Sequence, residues 1–248
     1  FFNECMERGA KLVVIIPEYG PPAAKADYWI PVRPGTDAAL FLSITRLLMD
    51  EKLYDADFVK QFTDFPLLVR TDNLKRLKAH EVFPGYRNQD ISTGPSYKVQ
   101  GLTPEQREQV GDFVVWDQRS GGLKAITRDD VGRNLAQKGV DPALEGTYKV
   151  RTVDGKEVEV VPLFEMYKVH LRDYDLDTVE QITHAPKDLV RRLARDIATI
   201  KPVAIHHGEG INHWFHATEM NRAAYLPIML TGNIGQPGAG CHTWAGNY

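Results

Sequence analysis

The chain has 248 residues, 43% hydrophobic and 25% charged, with a formal net charge of −3, values ordinary for a globular protein of one large or two small domains. That mild acidity gives no electrostatic reason to expect nucleic acid or an anionic membrane surface as partner. Two cysteines, Cys5 and Cys241, lie at opposite ends and exclude a readable disulfide framework or zinc pattern, and no apolar run is long enough to span a bilayer.

Residue 1 is Phe rather than Met, and Phe1 to Gly9 reads as the end of a helix. Both ends are therefore expected to be cuts in a longer chain, and any targeting signal is expected upstream. Lys11 to Pro17 (KLVVIIP) predicts a strand buried on both faces. After a Gly- and Pro-rich loop, Tyr28 to Val32 predicts a second strand, and the turn Arg33 to Asp37 leads into a helix over Ala38–Met49 with Thr36 or Asp37 as N-cap. A third helix is expected over Asp55–Phe62.

The middle changes character. Phe113 to Trp116 reads as a strand, and Tyr148–Val153 pairs with Glu157–Val161 across an Asp154-Gly155 hairpin turn. Short helices are expected at Thr103–Val110 and Thr127–Lys138. An amphipathic helix follows over Pro186–Thr199, then a buried strand Val203–His207, a Gly208-Glu209-Gly210 turn, a helix from His216 to Leu230 and a turn-rich tail. The expected fold is α/β: a parallel sheet with helices on both faces, interrupted by a β-rich excursion. The corresponding division is 1–82, an insertion at 83–162, and a return to the first domain at 163–248.

In such sheets ligands lie beyond the carboxyl ends of the strands, and three features fall there. Glu18 follows the first strand, where a carboxylate can accept hydrogen bonds from ribose hydroxyls or simply sit exposed in a loop. Gly35-Thr36-Asp37 opens a helix. Backbone N–H groups there favour an anion, Asp37 can accept two hydrogen bonds from a planar N–H/N–H₂ edge such as guanine presents, and a plain helix cap is the simpler alternative. Gly208-Glu209-Gly210 permits close backbone approach to a ligand, without the GxGxxG of a plain NAD site. His206, His207, His213 and His216 crowd together, but no cysteine or paired carboxylate completes a metal set. Cys241 reads as a small buried residue with no redox role.

The order of these elements is more telling than any one of them. The run AKADYWIPVRPGTDAALFLSITRLLMDEKLYDADFVKQFTD (24–64) and the closing LTGNIGQPGAG loop (230–240) resemble the molybdopterin oxidoreductase family, which contains dimethyl sulfoxide reductase and respiratory nitrate reductase. GINHWFHATEMNRA and HTWAGNY are most similar to the nitrate reductase/nitrite oxidoreductase branch, and GLTPEQREQVGDFVVWD and HLRDYDLDTVEQITHAPKDL resemble nitrite oxidoreductase ahead of respiratory nitrate reductase.

The resemblance implies two molybdopterin guanine dinucleotides holding one molybdenum. It would place Glu18, Gly35, Thr36 and Asp37 at a guanosine, with Asp37 reading the guanine edge. Gly208, Gly210, Asn212 and His213 would approach the phosphates or pterin of that dinucleotide, and His242, Trp244, Gly246 and Asn247 would line the pterin approach, Asn247 departing from the Gln of the nitrate reductase pattern. No residue here is expected to be a metal ligand, and the iron–sulfur cysteine cluster and the protein ligand to molybdenum are expected upstream of residue 1. The implied activity is oxidation of nitrite to nitrate by oxo transfer, with nitrate reduction as the alternative and a non-redox nucleotide-binding module as the rival from another class. The implied partners are an iron–sulfur electron-transfer subunit and, in complexes that carry one, a membrane-anchor haem subunit, with the complex on either face of a membrane.

Overall fold

A computed structural model describes residues 2–92, 94 and 101–243. The strands, in chain order, are β1 (Val13–Ile15), β2 (Tyr28–Ile30), β3 (Leu68–Arg70), β4 (Phe113–Asp117), β5 (Gly122–Ile126), β6 (Tyr148–Arg151), β7 (Glu157–Pro162), β8 (Ala204–His207) and β9 (Gly240–Thr243). The architecture is mixed α/β, and the strands are spread over four small sheets: β1-β2, β3-β7-β6, β4-β5 and β8-β9. Two compact units emerge, one from the residues up to 55 together with those from 171, the other from 56–170.

The first unit is built around the helix Asp37–Asp50. Leu40, Ile44, Leu48 and Met49 are fully or almost fully buried, each worth about 1.5–3 kcal/mol of transfer free energy. That stripe packs against the helices Ala217–Leu230, Lys187–Thr199 and Leu176–Thr183. The helix Lys187–Thr199 buries Val190, Leu193, Ala194 and Ile197 on one face, with Leu189 at the margin. Its opposite side anchors the first strand pair: Asp196 accepts from Lys11 Nζ at 2.9 Å and from the Tyr28 hydroxyl at 2.8 Å, while Arg192 lies 4.1 Å from the Tyr28 ring centroid. Burial, then the Asp196 hydrogen bond, pushes the Tyr28 phenol well above its ordinary range.

Both strand pairs of this unit are parallel. Val13 faces Tyr28 and Ile15 faces Ile30 in one; Ala204 faces Gly240 and His207 faces Thr243 in the other. Two expectations are corrected here. β1 is half-buried along its length and β8 alternates exposed with half-buried positions, so neither is buried on both faces; each has one strand neighbour. The tail expected to be turns contains β9, whose Gly-Cys-His-Thr sequence has no run of β-branched residues and whose pairing is long-range.

The second unit is antiparallel. β6 and β7 form the hairpin expected across Asp154-Gly155, β3 extends it, and β4 pairs with β5. β4 is buried on both faces: Val114 joins Leu68, Leu77, Val150, Val158 and Val160, while Phe113 and Val115 join Leu67, Ile126 and Leu135. The Trp116 and Tyr148 rings stack at 4.1 Å across the edge of that core. Thr103 accepts from Gln106 N and Gln106 Oε1 accepts from Thr103 N, a capping box that starts the helix Pro104–Val110. The helix expected over Thr127–Lys138 is shorter, Arg133–Gln137, because Thr127 and Asp130 fold into a local turn in which the Asp130 carboxylate accepts from Thr127 N at 2.6 Å.

Candidate functional site

The residues after the carboxyl ends of β1, β2 and β8 all belong to the first unit. Glu18 and Tyr19 follow β1, Arg33 to Asp37 follow β2, and Gly208 follows β8 directly. The packing of Gly35 joins two of these loops. Its φ is +79°, and a Cβ there would lie 3.2 Å from Cδ2 and Cε3 of the Trp214 indole. A glycine is required twice over, by its left-handed backbone and by the ring pressed against it. Gly35 and Trp214, 179 positions apart in the chain, thus bring the PGTD turn and the GEGINHW segment together.

Asp37 is the first residue of its helix and only 7% exposed. Thr36 holds the N-cap position, but its hydroxyl donates to Arg33 O at 2.6 Å and does not cap the helix. The expected side-chain cap is therefore absent, although Thr36 N donates to Arg33 O and Ala39 N to Thr36 O, so few N–H groups of the first turn are left for another partner. Burial raises the Asp37 carboxyl above the usual carboxylate range, and a hydrogen bond from its own backbone N–H offsets this only in part. Two well-placed external donors would return it to the ionised form.

On the other side, Gly208 O accepts from Ile211 N and Asn212 N at 3.0 Å, closing the short turn Glu209–Asn212. Gly210 has open space where a Cβ would be, so the backbone there is approachable. Asn212 Oδ1 accepts from Asn221 Nδ2 at 2.9 Å, and His213 is exposed. Glu18 is also exposed, and no hydrogen bond ties it to Asp37. The His206 and His242 rings stack at 4.9 Å on neighbouring strands. Burial first, then the neighbouring imidazole, lowers His206 below the ordinary histidine range. Trp244, Gly246 and Asn247 lie outside the described residues. Cys241 is half-buried rather than buried, and desolvation pushes its thiol up to about 11.

The structure gives a place to two side chains at this edge, Trp214 and His207, the second marked in the sequence only by the crowding of histidines. Trp214 becomes visible only through its contact with Gly35. His207, the last residue of β8, has both ring nitrogens buried without a hydrogen-bond partner, its ring set edge-on to Tyr225 at 6.1 Å. Burial, then His206, lowers its pKa, so the neutral imidazole is favoured. A buried orphaned polar group costs about 1–3 kcal/mol, and here it sits beside the Gly208 turn.

The loop after the helix Ala217–Leu230 is a structural brace. Asn233 is fully buried, accepts from Val203 N at 3.0 Å and donates to Thr231 Oγ1 at 2.8 Å. Thr231 Oγ1 in turn donates to Pro227 O at 2.7 Å. Gly232, at φ +69°, would place a Cβ 2.9 Å from the Asp55 carboxylate. These residues fix the start of β8 and thereby aim its far end.

A cleft of about 940 Å³ lies in the second unit, lined among others by Phe62, Leu74, Arg76, Lys78, Phe113 and Val131. None of the expected site residues lines it, and its carboxylates are already engaged, Glu81 with Arg70 and Asp130 with Lys138. Among the described residues no group of three or more His, Cys, Asp or Glu side chains is arranged to hold a metal ion, and no helix is long and apolar enough to cross a membrane.

The perchlorate reductase subunit alpha of Dechloromonas aromatica (strain RCB) is 35% identical over 100% of this chain and 27% of its own length. The respiratory nitrate reductase subunit alpha of Haloferax mediterranei is 33% identical over 99% of this chain and 24% of its own. The chain thus spans about a quarter of the length of these curated relatives. Acetylene hydratase from Pelobacter acetylenicus shares the fold, with a TM-score of 0.50 at 19% identity over 96% of this chain and 19% of that one. The model of the family described as molybdopterin oxidoreductase matches residues 1–245, and the chain belongs to that family.

Proposed function

We propose that this chain is the part of a molybdenum enzyme's catalytic subunit that grips the guanosine end of a molybdopterin guanine dinucleotide, in an enzyme oxidising nitrite to nitrate. The observation that supports it best is the buried Asp37 carboxyl, raised by desolvation and lacking a capping role, at the first turn of a helix. A guanine edge offers two N–H donors in one plane, which a carboxylate accepts together. Glu18 takes a ribose hydroxyl in this reading. Gly35, Thr36 and the backbone around Gly208 and Gly210 let phosphates or pterin approach, and Asn212, His213 and His242 supply polar contacts along the path. The two parallel strand pairs are read as parts of one larger Rossmann-like sheet that the insertion interrupts.

The residues present suit such a group: a first turn without a side-chain cap, a glycine pressed by an indole, and a histidine whose nitrogens are unmet. When bound, the metal held by the dithiolenes supplies the oxo-transfer chemistry. The protein's share is to hold the dinucleotide in a fixed orientation, so that binding free energy spent far from the reacting atoms positions them. Iron–sulfur clusters and an electron-transfer subunit, carried by other parts of the assembly, would take the two electrons, and a membrane-anchored haem subunit would pass them on. Both curated relatives above are named as reductases of oxoanions, perchlorate and nitrate, and nitrite oxidation is the nitrate reaction run backwards. The nitrate reductase relative also favours the second reading, a respiratory nitrate reductase.

Two measurements test this. In the full-length subunit, Asp37→Ala should lose molybdenum and bound guanine nucleotide, whereas the exposed Glu105→Ala should keep both; equal contents remove Asp37 from the site. The parent complex should turn over nitrite with an oxidant or nitrate with a reductant, and failure in both directions excludes this branch.

A further inference from the structure

The exposed aromatic side chains of the first unit are not scattered. Tyr19 is 64% exposed, Trp214 46% and Phe215 86%, and all three sit in the loops that follow β1 and β8. Tyr225, the remaining exposed aromatic ring there among the described residues, lies against His207 at the end of β8. Exposing a ring of this size to water forfeits roughly 25 cal/mol for each Å² that could have been buried, so a cluster at one edge calls for an occupant.

Tyr19 is already edge-on to Trp29 at 5.4 Å, and Phe215 lies 4.0 Å from the His216 ring. Trp214 differs from both. It is held by the Gly35 backbone, where Cδ2 and Cε3 would meet any Cβ at 3.2 Å, and it takes part in no ring–ring pair among the described residues. The contact residue stands two positions before Asp37. An indole propped on the glycine of the turn, with nearly half its surface free, therefore lies against the turn that leads into Asp37.

We infer that Trp214 is a stacking shelf for the purine base of the bound nucleotide, supplying affinity while Asp37 supplies base identity. This rests on the nucleotide reading above and adds a residue which that reading does not need. The division of labour follows from chemistry. Stacking is indifferent to which base is present, because every base has a π face, and it contributes on the order of 1–3 kcal/mol per base. Edge recognition is selective, because a wrong base leaves a buried group unmet. Gly35 keeps the ring close to the backbone; a side chain there would displace it.

The test uses the full-length subunit prepared without its cofactor, with GMP and AMP as probes and binding followed by calorimetry and by tryptophan fluorescence. Trp214→Ala should weaken GMP and AMP by the same factor, about tenfold or more, and Trp214→Phe should recover most of the loss. Asp37→Asn should weaken GMP while leaving AMP unchanged, erasing the preference between them. If Trp214→Ala binds GMP as the unmodified protein does while Asp37→Asn loses it, the shelf is overturned and the nucleotide site stands. If GMP fails to bind the unmodified protein, or binds with neither substitution changing its affinity, the nucleotide site falls and the shelf falls with it.

Discussion

The two units treat their buried polar groups in opposite ways. In residues 56–170, Asp112 is 1% exposed yet accepts from the Tyr86 hydroxyl at 2.7 Å, from Gln89 N at 2.9 Å and from Arg107. Asp117 is 2% exposed and accepts from Ser120 Oγ, Ser120 N and Asp141 N. Arg107 leaves Nε unmatched but holds Asp112 and Gln89 O through Nη2. In the other unit, Asp37 is buried with its pKa raised, and His207 has neither nitrogen matched. The antiparallel unit closes its polar chemistry on itself. The parallel unit leaves these two groups open at or after the carboxyl ends of its strands, while its buried Thr183 and Asn233 are hydrogen-bonded and Ser43 Oγ is unmatched inside the helix Asp37–Asp50.

The largest effect should come from breaking the closed side. Asp112→Ala leaves the Arg107 guanidinium without its buried partner and should cost about 3–5 kcal/mol in urea unfolding; a loss below about 1 kcal/mol would dissolve the contrast. Asn233→Ala comes next. It strands Val203 N and removes one partner of Thr231 Oγ1, which still donates to Pro227 O, and should cost about 1–3 kcal/mol by the same measurement, showing that the open unit also holds a closed brace. His207→Phe should act in the opposite direction. Replacing two unmet nitrogens with an apolar ring should stabilise the cofactor-free protein by about 1–2 kcal/mol while reducing cofactor retention, and a destabilised cofactor-free variant would show that those nitrogens are satisfied after all.

The smallest effects are pH-dependent and opposite in sign. Burial raises Asp117, but the Ser120 hydroxyl and the N–H groups of Asp141, Arg119 and Ser120 outweigh it and hold the carboxyl at about 2. Its folded pKa lies below the ordinary 3.8, so its stabilisation is present above that value and is lost as the pH falls toward about 2. Asp37 is raised above 3.8, so the folded state binds the proton more tightly and stability falls as the pH rises through that raised value. Thermal melts of cofactor-free protein should therefore find Asp117→Asn less stable at neutral pH, with the gap narrowing in acid. Asp37→Asn should be more stable at neutral pH, with the gain vanishing well below 3.8.

Most elements were legible in the sequence where local chemistry determines them: the Asp154-Gly155 hairpin, the short helix at Thr103–Val110 and the amphipathic helix Lys187–Thr199. KLVVIIP located β1 but misled about its burial, because an apolar run reports what a strand can bury and not how many neighbours cover it. β3 and β9 were missed because each is short and pairing across the chain creates it, and β5 because GLKAI carries no distinctive strand pattern although its hairpin with β4 is local. The LTGNIG phrase identified the family yet serves as a brace, its Asn233 and Gly232 chosen for hydrogen bonding and backbone conformation. The role of Trp214 was illegible for the same reason as β9, since a contact across 179 positions leaves no trace in neighbouring residues, and the crowding of histidines marked His207 without showing that its nitrogens are unmatched.

A structure of the full-length subunit with its cofactor is the most direct test of the cradle at the strand ends. The expected result is a guanine whose N–H edge lies within hydrogen-bond distance of the Asp37 carboxylate, with its sugar and phosphates running toward Gly208. A nucleotide bound elsewhere, or an Asp37 carboxylate turned toward solvent, would contradict it.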